Sequence, residues 1–187
     1  MAYQFKIQLM NVAKPPVWRQ IQVPEKLTFY DLHLLIQLAF GWMDCHLYQF
    51  SPKGYGSHPI IAIPSKEDWE KPDMNAMKTK LNKVFTHEKQ TFNYLYDFGD
   101  DWSHKITLEK LVSDELKSPV CLAGKGACPP EDCGGAWGYE NLKIILADPK
   151  HEEHVDMKEW LCLDEDEDWD ANYFDLEEVN EMLKSYK

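Results

Sequence analysis

Between Tyr3 and Leu9 every second residue is apolar: Tyr3, Phe5, Ile7 and Leu9 alternate with Gln4, Lys6 and Gln8. A period of two places one set of side chains on one face of an extended chain, so this segment predicts a half-buried strand and cannot be an amphipathic helix. Lys14-Pro15-Pro16 interrupts the pattern, Val17–Val23 predicts a second, antiparallel strand, and Pro24 ends it. A chain that begins this way needs something to cover the apolar face of its sheet.

The following residues supply that cover. Thr28 with Asp31 three positions on has the form of a capping box, with Asp in place of the usual Glu. Phe29, Leu32, Ile36, Ala39 and Phe40 then fall on one helical stripe, and Gly41 closes the helix. His46–Phe50 predicts a strand. Ser51–Pro72 reads as loop, and Asp73–Phe85 as a helix. Phe92–Phe98 and Trp102–Leu111 predict paired strands around the turn residues Asp97-Phe98-Gly99-Asp100-Asp101. Pro119–Gly138 is so dense in Gly and Pro that it predicts a shaped loop with no regular element. Three helices follow: Tyr139–Ala147; one from Pro149, with Asp148 as its N-cap, to about Leu161; and a last one capped by Asp175 with Glu178, reaching about Tyr186. Strands and one helix first, helices last, and no internal repeat: the order predicts one α+β domain over residues 1–187. Its sheet is mainly antiparallel, with a helix in the N-terminal half and a C-terminal group of helices.

Composition narrows function. The net charge is −12, but residues 113–187 carry 20 acidic against 7 basic side chains, while residues 1–112 are nearly balanced. Of the 20 basic residues only Arg19 is an arginine. Arg is the usual fork for phosphate and guanine, so a nucleic-acid partner recognised through charge is disfavoured, although the balanced front half leaves room for a local lysine patch. No apolar stretch approaches the ~20 residues needed to cross a bilayer, and no charged start followed by an apolar block marks a signal peptide. These features predict a cytoplasmic protein with no membrane partner. Five cysteines without a secretory signal predict reduced thiols or a metal site rather than a disulfide framework.

Five constellations could carry chemistry. Cys121, Cys128 and Cys133, with His151 or His154 as a fourth ligand, could hold zinc; the spacing lacks paired CxxC knuckles, and three reduced thiols packed in a loop are the simpler explanation. His151-Glu152-Glu153-His154 places two imidazoles on one helix face, but it is not the HExxH arrangement and suits a solvated helix start. Asp97, Asp100, Asp101 and His104 gather around a tight turn flanked by aromatics, and could bind a divalent cation or act as general acid and base; a hairpin whose Asp caps the turn is the alternative. Trp42 and His46 follow a helix carrying His33 and Gln37. Asp164–Asp170 is acidic but has Trp169 where a calcium loop needs Gly, so a solvated loop is expected. No GxGxxG, GxxxxGK[ST] or GxSxG is present, so nucleotide-dependent and α/β-hydrolase chemistry have no support.

Several blocks in this order carry a resemblance. They are Val17-Trp18-Arg19-Gln20-Ile21, Thr28–Trp42 closing as AFGW with His46, YDFGD with Trp102 and His104, ACPPEDCGG with Gly138-Tyr139, and then His151, His154, Trp160 and Phe174–Asn180. Together they resemble the plasmid pRiA4b ORF-3-like family over nearly the whole chain. The resemblance implies an α+β fold and passenger proteins of plasmids and some insertion elements, but no established activity. The chain departs after Trp160, where Leu161-Cys162-Leu163 and the acidic run stand in place of a shorter turn.

Three functions follow as expectations. The first is a non-catalytic binding domain for a protein or peptide partner, with a pocket between the YDFGDDWSH hairpin and the CPPEDCGG loop lined by Trp42, His46, Tyr96, Trp102 and Tyr139. The second is a metal-dependent enzyme, such as a hydrolase, whose catalytic candidates are Asp97, Asp100, Asp101, His104, Glu131 and Asp132. The third, suggested only by the mobile-element association, is a nucleic-acid accessory factor.

Overall fold

The computed structural model describes residues 1–66, 71–164 and 166–186. The end of the loop-rich Ser51–Pro72 stretch and Glu165 of the acidic run therefore fall partly outside the described residues. Eight strands form one sheet: β1 (Ala2–Leu9), β2 (Trp18–Pro24), β3 (Tyr48–Ser51), β4 (Ile61–Ala62), β5 (Met74–Asn75), β6 (Thr91–Tyr96), β7 (Trp102–Val112) and β8 (Val120–Lys125). Their spatial order is β5-β4-β3-β6-β7-β1-β2-β8. Every pairing is antiparallel except β4 with β5. The helices are α1 (Phe29–Phe40), α2 (Gly135–Ala147), α3 (His154–Trp160) and α4 (Leu176–Lys184). The fold is α+β.

The alternation in β1 sorts the two faces. Phe5, Ile7 and Leu9 are almost wholly buried. On the other side Gln4 and Gln20 both donate to Glu109 Oε2, at 3.0 and 2.6 Å, and Gln22 donates to Gln4 Oε1 at 3.1 Å. A polar ladder thus satisfies the face that α1 does not cover. The covered face is rich in aromatics. Phe29 of α1 packs on Phe50, Phe85 and Phe92 with ring centroids 5.1–5.9 Å apart.

Helix α1 begins as the sequence predicts. Thr28 Oγ1 accepts from Asp31 N–H at 3.2 Å, Asp31 Oδ2 accepts from Thr28 N–H at 2.6 Å, and Gly41 ends the helix at φ +89°. Arg19 locks the far edge. Its Nε donates to Ala39 O, Nη1 to Trp18 O and Lys125 O, and Nη2 to Gly126 O, at 2.9–3.1 Å, with the Phe40 and Phe174 rings beside the guanidinium. The chain's one arginine therefore joins β2, β8 and the end of α1 through carbonyls, without a carboxylate partner in the described residues.

Three expectations change. Asp73–Phe85 is no helix: Met74 N–H donates to Ile60 O and Ala76 N–H to Ala62 O, and only a short 3-10 turn at Leu81–Lys83 is helical. Pairing with β4 outweighs a modest helical pattern there. The Gly-Pro-Cys segment is not wholly irregular: Val120–Lys125 pairs with β2, and α2 starts at Gly135. Glycine is accepted in β8 because a side chain at Gly124 would meet the Phe174 ring at 2.3 Å. Finally, Asp148 Oδ1 accepts from Lys150 N–H at 2.9 Å and turns the chain, so α3 begins at His154 rather than Pro149. Among the described residues no helix is long and apolar enough to cross a membrane.

Candidate functional site

The connection from α1 to β3 places the first site residue. After Gly41, Trp42 folds back and its Nε1–H donates to Pro129 O at 2.9 Å, which ties this turn to the 126–134 loop. Asp44 is held by a buried network. Its Oδ1 lies 2.7 Å from His33 Nε2, and its N–H donates to Gln37 Oε1 at 2.9 Å; Gln37 Nε2–H and His33 Nδ1 both meet Tyr94 Oη, at 3.0 and 2.8 Å. His33 stacks on Tyr48 at 3.6 Å. Burial lowers the pKa of His33, and Asp44 opposes that shift. This network, which sequence spacing does not reveal, holds the stretch that delivers His46.

The hairpin supplies the second element. Asp97 ends β6 in the left-handed region (φ +54°), its N–H donates to Leu47 O at 2.9 Å, and its Oδ1 accepts from Gly99 N–H at 2.8 Å. Asp is among the few residues that adopt this conformation readily. The third element, the loop 126–134, lies directly against the turn. Asp100 Oδ2 accepts from Gly134 N–H at 3.1 Å, and a Cβ at Gly135 would sit 2.4 Å from Asp100 O. Only glycine admits that approach.

These contacts bring one histidine and three carboxylates together. From His46 Nε2, Asp132 Oδ1 is 3.3 Å away, Asp97 Oδ2 3.8 Å and Glu131 Oε2 3.9 Å. Glu131 Oε1 is already occupied: Tyr96 Oη–H donates to it at 3.0 Å and Met43 N–H at 2.9 Å. Cys45 N–H in turn donates to Tyr96 Oη at 3.1 Å. Burial raises the Tyr96 pKa, and the neighbouring Glu131 adds to the rise, so Tyr96 remains a hydrogen donor at ordinary pH. Glu131 and Asp97 each spend one oxygen on anchoring and point the other towards His46. Their side chains are 11% exposed, whereas Asp132 is 74% exposed and forms the open side. His46 Nε2 and Glu131 Oε2 are shielded from solvent and have no hydrogen-bond partner among the described residues.

The remaining candidates lie elsewhere. His104 is a core residue: it is fully buried, its Nδ1–H donates to Trp102 O at 2.8 Å, and burial pushes its pKa down to about 3. A histidine that stays neutral inside the core cannot serve as the expected surface acid or base. Asp101 turns outward and accepts from Ser103 Oγ–H at 2.8 Å. Trp102 is fully buried, with its ring 6.0 Å from that of Trp42. Tyr139 is buried on α2 against Trp169, with its hydroxyl on Ala127 O at 2.8 Å.

The proposed zinc ligands are not drawn into one sphere either. Cys121 lies in β8 with its N–H on Asn180 Oδ1 at 2.8 Å; His154 Nδ1 lies 3.0 Å from Ile145 O, and His151 Nδ1 accepts from Glu153 N–H at 3.2 Å. Burial raises all three thiols, Cys133 to about 12. Among the described residues the group of three His, Cys, Asp or Glu side chains with ligand atoms within 4.8 Å of one another is His46, Asp97 and Asp132.

The family profile described as plasmid pRiA4b ORF-3-like protein matches residues 1–178. The chain belongs to that family. Among its plasmid pRiA4b ORF-3-like relatives is the uncharacterized protein y4hQ of Sinorhizobium fredii (strain NBRC 101917 / NGR234), 35% identical over 182 residues, which cover 96% of this chain and 91% of that protein. A crystal structure of the protein of unknown function MM3350 from Methanosarcina mazei Go1 is similar at a TM-score of 0.79 and 38% identity, over 95% of this chain and 97% of that one. Every residue of the His46 cluster lies within the span that the pRiA4b ORF-3-like profile matches.

Proposed function

We propose that this protein is a binding domain whose cluster of His46, Asp97, Glu131 and Asp132, between the β6–β7 hairpin and the 126–134 loop, receives a positively charged ligand. The observation that carries this reading is the geometry around His46: three carboxylates each aim one oxygen at a single imidazole nitrogen. Among the described residues, no lysine or arginine forms an ion pair with Asp97, Glu131 or Asp132. Negative charge held on a rigid frame, with no lysine or arginine paired to it, favours a cation arriving from outside. Two kinds of cation suit it: a lysine- or arginine-bearing segment of a protein partner, and a metal ion.

The test follows the His46 ring signals by NMR while a short lysine- and arginine-containing peptide, or a divalent metal ion, is titrated into the full chain. At least one of the two is expected to shift those signals at low salt, with weaker binding in Asp97→Asn and Glu131→Gln. If neither moves them, the cluster is not a cation site.

A further inference from the structure

We infer that the ligand of this cluster is a divalent first-row transition metal ion, held by His46 Nε2, Asp97 Oδ2 and Asp132 Oδ1, with Glu131 Oε2 beside them. The inference rests on the cation-receiving reading above and names the class of cation.

The distances carry the first part of the argument. Zinc bonds to imidazole nitrogen and carboxylate oxygen are about 2.0–2.2 Å, so tetrahedral neighbours lie roughly 3.3–3.5 Å apart. The His46–Asp132 separation of 3.3 Å already has that value, and the 3.8 and 3.9 Å separations to Asp97 and Glu131 exceed it by only a few tenths of an ångström. Those two separations are too long for hydrogen bonds. The ligand atoms of His46, Asp97 and Asp132 all lie within 4.8 Å of one another, which leaves room for an ion between them.

The two orphaned atoms carry the second part. His46 Nε2 and Glu131 Oε2 are both shielded from solvent, both unpartnered, and face each other. A buried polar atom without a partner is unfavourable, and an ion between them would satisfy both at once. The other oxygens of Glu131 and Asp97 are fixed by Tyr96, Met43 and Gly99, which sets the orientation of the donors as outer partners do in metal sites.

Donor chemistry selects the metal class. One imidazole with three carboxylates suits zinc or manganese; calcium favours six to eight oxygens, and magnesium keeps several waters in an all-oxygen octahedron. The exposed Asp132 edge leaves room for water or a ligand atom from a partner to complete the sphere.

The experiment uses the full chain, stripped with chelator and titrated with Zn(II), Mn(II) and, for comparison, Mg(II). Binding is followed by calorimetry and by the His46 ring signals. One Zn(II) or Mn(II) per chain is expected, weakened at least tenfold in His46→Gln and in Asp132→Asn, and unchanged in a variant with Cys121, Cys128 and Cys133 all replaced by Ala. Because Asp132 is exposed, Asp132→Asn tests the ligand set even if His46→Gln does not fold. Metal bound with equal affinity by Asp132→Asn but lost from the cysteine variant overturns the assignment. So does an absence of metal binding while the basic peptide shifts His46, and in that case the cation-binding reading stands. If metal and peptide both fail, both readings fall.

Discussion

Tyr96 Oη donates to Glu131 Oε1 at 3.0 Å, joining the end of β6 to a loop 35 residues further along the chain. The same oxygen accepts Cys45 N–H, so one hydroxyl connects three separate segments. Tyr96→Phe keeps the buried ring and removes this link. Hydrogen bonds to charged groups contribute more than neutral ones, so the expected loss is about 2 kcal/mol in a denaturant titration. Binding at the His46 cluster should weaken as well, because Glu131 loses one of its two anchors. Unchanged stability and binding would show that Met43 N–H alone holds Glu131.

The approach of the 126–134 loop to the hairpin depends on Gly135. Its φ is +68°, and a Cβ there would meet Asp100 O at 2.4 Å. Gly135→Ala is expected to cost about 2–3 kcal/mol, combining backbone strain with overpacking. Gly56→Ala serves as the comparison: its φ is +73° but nothing lies within 4 Å, so only the backbone cost of roughly 1 kcal/mol applies. Equal effects in thermal melts would mean that the close contact at Asp100 is absent in solution.

Arg19 donates four hydrogen bonds to carbonyls and lies against two aromatic rings. Lysine carries the same charge but cannot reproduce a planar fork with donors pointing in several directions. Arg19→Lys should destabilise by about 3 kcal/mol, as expected when a buried charged group loses its partners. Chemical denaturation measures the loss directly.

His104 makes stability depend on pH in one direction. Burial holds its folded pKa at about 3, below the ~6.5 of an unfolded chain. The unfolded state therefore binds the proton first. Above pH ~6.5 both states are neutral and the full stability is present; as pH falls from there towards 3, stability declines by up to ~1.4 kcal/mol per unit from this group alone. His33, also lowered by burial, adds in the same direction. A His104→Leu variant should show a shallower acid slope between pH 6 and 4 than the unmodified chain. Identical slopes would place the titrating group elsewhere.

Strands and capping were legible in the sequence because their causes are local. The alternation from Tyr3 to Leu9, the Thr28–Asp31 box and the left-handed Gly41 each depend on residues a few positions apart. Asp73–Phe85 misled for the opposite reason: its backbone partners, Ile60 O and Ala62 O, lie beside and within β4. Likewise β8 was hidden in a glycine-rich stretch whose Gly124 makes room for a distant ring, Phe174. His104 looked like a turn residue beside three aspartates, but strand alternation sends it to the opposite environment from the exposed Asp101.

The sequence by itself determined an α+β chain, the family to which it belongs, and the residue types available for a site: carboxylates at the 97–101 turn and at 131–132, and an imidazole after AFGW. Only the tertiary structure decided which of them meet. Whether His46 faces Asp97, Glu131 and Asp132 depends on the turn after α1, the hairpin and the 126–134 loop being pinned together by Trp42–Pro129, Tyr96–Glu131 and Asp100–Gly134. Those bonds span 34 to 87 positions of chain, and no local periodicity encodes a contact at that range.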